Sequence, residues 1–181
     1  EGAEGLSGTV AEMPPEGALL PETYFYRRGD SRADLLHRMR AGMHGLIAEL
    51  WPRRAPDLPF ETPDQAVVLA SIVEKETARA AERRQVAGVF VNRLRKNMRL
   101  QSDPTVMFAV TGGAAPLERP LSKADLALDS PFNTYRHNGL PPSPIAHPGR
   151  ASLAAVLNPM VTDALYFVAD GSGGHAFART F

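Results

Sequence analysis

The chain lacks cysteine and has no excess of charge of either sign. None of its 181 residues is cysteine, which excludes disulfide frameworks and thiolate metal sites. Lys plus Arg and Asp plus Glu number 20 each, so the charge balance gives no reason to expect a nucleic-acid partner. No apolar run in the sequence is long enough to cross a bilayer. The length is sufficient for one domain with a hydrophobic core.

Helix start signals dominate the first half of the sequence. Ser31 with Asp34 is a capping pair that predicts a helix from that point. Thr62, Pro63 and Gln65 form a complete capping box with proline at the first helical position, which predicts a second helix. The spacing of apolar residues predicts a third helix over about 80–96.

Proline and glycine shape the second half. The chain has 16 prolines and 15 glycines, and their clustering after Gln101 predicts ordered loops. Asp103 and Pro104 are predicted as N-cap and first residue of a short helix, with others from Ser122 and over 151–157. A long loop is predicted over 130–149, and a hairpin of strands 165–169 and 176–180. Long helices followed by loops and a hairpin predict an α+β fold.

Two glutamates follow the apolar run 66–73 of the second helix. At about 100° per residue, Glu74 and Glu76 lie on opposite sides of the apolar face. Glu74 has small neighbours that leave room for a ligand, and burial against apolar walls favours the protonated form that a general acid needs. Glu76 is predicted to be structural, in an ion pair with Arg79, Arg83 or Arg84. From the helix pattern alone, the alternative that both glutamates are structural stays open.

Around these glutamates the sequence resembles the MltG (YceG-like) family of endolytic murein transglycosylases. The resemblance covers nearly the whole chain in the family's order, with departures at Ser143 and His147. It is carried by LPETY at 20–24, ASIVEKET at 70–77, VFVNRL at 89–94, MRLQSDPTV at 98–106, NTY at 133–135, GLPPSPI at 139–145, PG at 148–149 and YFVADGSGGH at 166–175.

The resemblance implies a fold, a location and partners. The expected fold is a helical, lysozyme-like catalytic core with a proline-rich loop region and a small β-hairpin. Residues 1–181 would form a single catalytic domain, a fragment without the family's transmembrane helix and most or all of its LysM-like subdomain. The missing anchor would hold the enzyme in the inner membrane, with the catalytic domain on the periplasmic side. The implied partners are peptidoglycan glycan strands and the cell-wall synthesis machinery.

The resemblance also implies a reaction with a single acid/base, which it assigns to Glu74. This residue would protonate the oxygen between N-acetylmuramic acid and N-acetylglucosamine, then deprotonate the muramic 6-hydroxyl to leave a 1,6-anhydro end. No metal or cofactor is required. The expected sugar-binding residues are Ser71, Gln101, Ser102, Asp103, Thr105, Asn133, Tyr135 and His175. For Asp103 and Asn133, capping a helix and satisfying loop backbone are equally weighted alternatives.

Two other functions stay open. A lysozyme-type muramidase would need a second carboxylate, for which Asp103 is the candidate. A non-catalytic glycan-binding or scaffold module would make Glu74 purely structural. The mass of the released product separates the two enzymes, because anhydro ends weigh one water less than reducing ends.

Overall fold

The computed structural model describes residues 5–180, and its core is helical. Within that part of the chain, six α-helices precede a two-stranded sheet, which confirms the α+β prediction. The elements are α1 (Arg32–Leu50), α2 (Pro63–Glu76), α3 (Arg83–Arg95), α4 (Asp103–Thr111), α5 (Lys123–Leu126), α6 (Arg150–Leu157), β1 (Tyr166–Ala169) and β2 (His175–Ala178). No helix within residues 5–180 is both long and apolar enough to cross a membrane.

The predicted capping residues begin three of these helices. Capping boxes are formed by Ser31 at α1, Thr62 at α2 and Ser122 at α5. The prediction for α4 is wrong by one residue, since Ser102 is the N-cap and Asp103 is already helical. The Asp103 carboxylate accepts a hydrogen bond from Tyr135 instead, so it does not cap the helix. Gly112 ends α4 in the left-handed conformation, at a φ of 63°.

Helix α2 is the centre of the core. Every residue from Ala66 to Val73 is buried, as the apolar run predicts. Its most extensive packing partner is α6, and α3 and α4 also lie against it. The last turn of α2 emerges from this packing, and that turn carries Glu74 and Glu76.

The hairpin is docked on α3 by aromatic contacts. Its strands are antiparallel, with Tyr166 opposite Ala178 and Ala169 opposite His175. The ring of Phe167 meets that of Phe90 edge-on, with centroids 5.6 Å apart. This packing brings the start of β2 close to the segment between α2 and α3, where Glu82 accepts hydrogen bonds from His175.

Candidate functional site

Glu74 lies against the first turn of α6. Its Oε2 accepts a hydrogen bond from the backbone N–H of Gly149 at 3.0 Å and another from Ser152 Oγ at 2.6 Å. Its Oε1 is 3.8 Å from a guanidinium nitrogen of Arg83. The N-terminus of α6 packs against one side of the carboxylate, which narrows the space expected beside Glu74 but leaves its side chain 27% exposed. The carboxylate joins α2 to α6, where it also complements the positive end of the α6 dipole.

Glu76 faces a different set of residues. Its Oε2 accepts a hydrogen bond from Ser102 Oγ at 2.7 Å. Burial raises the pKa of the Glu76 carboxyl, and the nearby negative charge of Asp103 also raises it. The Ser102 hydrogen bond and the proximity of His175 and Arg93 oppose this shift without cancelling it. A carboxyl that keeps its proton to higher pH is suited to donate it as a general acid.

The predicted arginine partners of Glu76 are engaged elsewhere. Arg83 lies against Glu74, Arg79 pairs with Glu82 at 3.7 Å, and Arg84 donates to the backbone oxygen of Asn158. The expectation of a structural ion pair between Glu76 and one of these arginines is therefore wrong. The physical reason is the direction of the last α2 turn, which sends Glu76 toward the α4 N-terminus.

A hydrogen-bonded pair of polar side chains flanks Glu76. The hydroxyl of Tyr135 donates to Asp103 Oδ1 at 2.5 Å. Burial raises the pKa of the Tyr135 phenol, and the bond to Asp103 raises it further. The phenol therefore stays protonated and able to donate. Asp103 is exposed and Tyr135 is half-buried, so both present polar atoms to a ligand next to Glu76.

Arg93 supports the loop that carries these residues, and the sequence analysis missed it. Its Nη1 donates to the backbone oxygen of Leu100 and its Nε to that of Leu165, each at 2.6 Å. Its guanidinium also lies 5.2 Å from the ring centre of Tyr166. The sequence did contain a signal for this role, because Arg93 is a charged residue on the otherwise apolar, buried face of α3. Next to Leu100, Gln101 is exposed and adopts a positive φ of 51°.

Four of the expected sugar-binding residues are buried. Ser71, Thr105 and Asn133 have no exposed surface, and Ser102 has 1%. A sugar cannot reach side chains enclosed in this way, so the expectation of direct contact is not met for these residues. Their hydrogen bonds go to the protein: Ser71 with Val68 and Ile145, Thr105 with Ser102, Asn133 with Leu126 and Leu128, and Ser102 with Glu76.

His175 is held by Glu82, a second residue that the sequence analysis missed. Its Nδ1 lies 2.8 Å from Glu82 Oε2, and its backbone N–H donates to Glu82 Oε1 at 3.3 Å. The hydrogen bond from His175 lowers the pKa of the Glu82 carboxyl, which keeps Glu82 charged. His175 is also close enough to influence the Glu76 carboxyl, so the hairpin contributes to the site.

The structure therefore assembles one polar cluster from the predicted residues. Hydrogen bonds or charge interactions link Glu76, Ser102, Asp103, Tyr135 and His175. Glu74 and Ser71 contact other parts of the fold. Within the described residues, no group of three or more His, Asp or Glu side chains is arranged to hold a metal ion. The arrangement offers a carboxyl with a raised pKa beside hydroxyl, carboxylate and imidazole groups.

Comparison with known proteins gives relatives that share one name. A Bacillus subtilis protein named endolytic murein transglycosylase is 36% identical over 167 residues, covering 92% of this chain and 45% of the relative. A Streptococcus pneumoniae protein of the same name is 33% identical over 168 residues, covering 90% of this chain and 29% of the relative. The chain thus spans less than half the length of these relatives.

A solved structure and a family model agree with these relatives. The crystal structure of a putative YceG-like protein from Listeria monocytogenes superimposes with a TM-score of 0.76 at 36% identity, covering 91% of this chain and 51% of that one. The model of the YceG-like family matches residues 3–181. The chain belongs to the YceG-like family.

Proposed function

We propose that this chain carries the catalytic site of a peptidoglycan lytic transglycosylase. The reaction would cleave the bond between N-acetylmuramic acid and N-acetylglucosamine and leave a 1,6-anhydro end. The relatives' names support the substrate and reaction class. The single observation that carries the proposal is a carboxyl at the end of α2, Glu76, with a pKa raised by burial beside Ser102, Asp103 and Tyr135.

The contacts favour Glu76 over Glu74 as the acid/base. Glu74 was the expected catalytic residue, but its Oε2 already accepts two hydrogen bonds and its Oε1 faces Arg83. Glu76 accepts one hydrogen bond from Ser102 and adjoins residues that are exposed to a ligand. We therefore assign proton transfer to Glu76 and a structural role to Glu74.

In the proposed mechanism the protonated Glu76 carboxyl donates its proton to the glycosidic oxygen as the bond to the muramic anomeric carbon breaks. Positive charge develops at that carbon, and the substrate's own N-acetyl group relieves it. The resulting carboxylate accepts a hydrogen bond from Ser102 and is stabilised by the positive charge of Arg93. It then takes the proton of the muramic 6-hydroxyl while that oxygen bonds to the anomeric carbon. Glu76 ends protonated, and no water is consumed.

The surrounding residues would orient the sugars. Tyr135, Asp103 and Gln101 offer hydroxyl, carboxylate and amide groups of the kind that fix sugar hydroxyls and N-acetyl groups. The buried Ser102, Thr105 and Asn133 do not contact the sugars in this scheme. They hold the loop segments that carry the sugar-binding groups. A metal or cofactor takes no part in this scheme.

The cellular context is part of the same proposal. A glycan-cleaving enzyme of this kind acts outside the cytoplasm, where its substrate is. The family resemblance supports a catalytic domain held at the outer face of the cytoplasmic membrane, near the cell-wall synthesis machinery. Fractionation of cells that express the full-length protein, with detection in membrane and soluble fractions, tests this location.

The reaction is tested by digesting purified, uncrosslinked glycan strands and weighing the products. We expect ends that are one water lighter than reducing ends. We also expect Glu76→Gln to reduce turnover by about 10²–10⁴-fold, the usual contribution of acid/base catalysis, while the variant still folds. Products with ordinary reducing ends would support the muramidase alternative, with Asp103 as second carboxylate. Strands bound without cleavage would support a glycan-binding module.

A further inference from the structure

A cavity with a basic lining opens beside Tyr135. Its volume is about 490 Å³, and it is lined by Arg99, Lys123, Leu126, Ala127, Tyr135 and Arg136. We call it the basic cavity. Its volume is within the range of small-molecule sites. Three of its six lining residues are cations, although the whole chain has a formal charge of zero, so the positive charge is concentrated locally.

The cations of the basic cavity are not neutralised by the protein. Within residues 5–180, Arg99, Lys123 and Arg136 form no ion pair with a carboxylate. The nearest acidic residue on α5, Asp125, is held instead by both terminal nitrogens of Arg119, at 2.5 and 3.0 Å, and by Ser122. The positive groups are therefore available to an anionic ligand.

The fold holds one of these cations in place and connects the cavity to the catalytic cluster. Arg99 Nη1 donates to the backbone oxygen of Tyr135 at 3.1 Å. The hydroxyl of the same Tyr135 donates to Asp103, which adjoins Glu76. A glycan strand bound at Glu76 would thus have its substituents within reach of the basic cavity.

We infer that the basic cavity binds the carboxylates of the stem peptide carried by muramic acid. This inference rests on the proposed function, since it names the part of that substrate that the cavity recognises. A stem peptide carries carboxylates close to alanine methyl groups. The guanidinium groups of Arg99 and Arg136 match carboxylates in a planar, two-bond geometry, and Leu126 and Ala127 offer apolar surface to the methyl groups.

A binding experiment tests the cavity without requiring cleavage. The probe is N-acetylmuramyl-L-alanyl-D-glutamate, titrated into the chain and followed by NMR, with the fully amidated compound as neutral control. We expect the acid to bind more tightly than the amide. The double variant Lys123→Gln, Arg136→Gln should weaken binding of the acid by about fivefold or more, which is the effect expected for the loss of two solvent-accessible ion pairs. Arg99 is left intact because it contacts the Tyr135 backbone. Equal binding of acid and amide, or no change in the double variant, would overturn the inference.

Matched variants separate a charge effect from damage to the fold. Lys96→Gln removes a cation from the exposed end of α3, outside the cavity, and should leave probe binding unchanged. Lys123→Arg keeps the charge at that position and should retain most of the affinity. If Lys96→Gln weakens binding as much as the double variant, the effect is general electrostatics and the site is refuted.

A cleavage experiment then connects the cavity to the enzyme. Strands with intact stem peptides and strands stripped by an amidase are digested in parallel. We expect the wild type to prefer peptide-bearing strands, and this ratio to fall in the Lys123→Gln, Arg136→Gln double variant and at high salt. Equal rates on both strands refute the inference while the proposed function stands. Cleavage of neither strand refutes the proposed function, and the probe titration still decides whether the cavity binds carboxylates.

Discussion

Replacing Glu74 by glutamine should damage the fold more than the chemistry. The carboxylate accepts two hydrogen bonds at the start of α6, from the Gly149 N–H and the Ser152 hydroxyl, and has Arg83 as its ionic partner. Glutamine preserves one acceptor oxygen and loses the charge. Hydrogen bonds to charged groups contribute about 1.5–3 kcal/mol against about 0.5–1.5 for neutral ones, and a charge at a helix N-terminus adds about 0.3–1 kcal/mol.

The expected loss for Glu74→Gln is therefore about 2–3 kcal/mol in the free energy of unfolding. For a domain of this size, that loss lowers the melting temperature by roughly 5–10 °C. Turnover at a temperature well below both transitions should stay within about tenfold of wild type, since the acid/base step itself contributes about 10²–10⁴-fold. Urea unfolding and glycan digestion with the same preparation measure both quantities.

Glu49→Gln is the matched control for this prediction. Glu49 also pairs with the first turn of α6, through Arg150 at 2.9 Å, but both side chains are more than 40% exposed. Such a pair is screened by water, so its loss should leave the melting temperature nearly unchanged. If Glu74→Gln melts like wild type and yet loses turnover by two orders of magnitude or more, the reasoning is refuted and Glu74 is the acid/base.

Three further changes test the rest of the site. Burial raises the pKa of Glu76, so the folded state binds the Glu76 proton more tightly than the unfolded state does. The fold is therefore destabilised by Glu76 as pH rises through the folded-state pKa, and is not destabilised by it at acid pH. Glu76→Gln should therefore resist urea better than wild type at about pH 8 and equally well at about pH 4, and a constant difference would contradict this. Asp103→Asn should retain anhydro products, because asparagine still accepts from Tyr135, and should shift the alkaline limb of the activity profile to lower pH. An inactive, normally stable variant would instead support the muramidase. Arg93→Lys removes the planar guanidinium that donates to two backbone oxygens. It should lower the free energy of unfolding, measured in urea, by about 1–3 kcal/mol. Unchanged stability would show that Arg93 does not support the loop.

Local capping chemistry is the part of this fold that sequence reasoning predicted well. The box formed by Thr62 and Gln65 depends on atoms within one helical turn, and it begins α2 where it was expected. The failure at Ser102 has a different origin. Asp103 has the chemistry of an N-cap, but its carboxylate accepts from Tyr135, which lies 32 residues further along the chain. A local pattern cannot include a competing partner that arrives through tertiary structure.

The contacts of the two glutamates escaped prediction for the same reason. Helical geometry places Glu74 and Glu76 in different directions, as the sequence indicates, but it does not say what packs on each side. The partner of Glu76 is 26 residues away, and the backbone partner of Glu74 is 75 residues away. Small neighbours around Glu74 indicated space, and the N-terminus of α6 packs against one side of it.

The end of α2 shows how one short sequence can carry two carboxyl groups with different properties. Glu74 meets the N-terminus of a helix and an arginine, both of which supply positive charge and hydrogen-bond donors. Glu76 meets one serine hydroxyl and a neighbouring aspartate, and burial raises the pKa of its carboxyl. Divergent environments of this kind are how proteins separate a structural carboxylate from an acid catalyst. The packing of α6 on one side of α2, and of the α4 loop on the other, is therefore the basis on which we propose Glu76 for proton transfer.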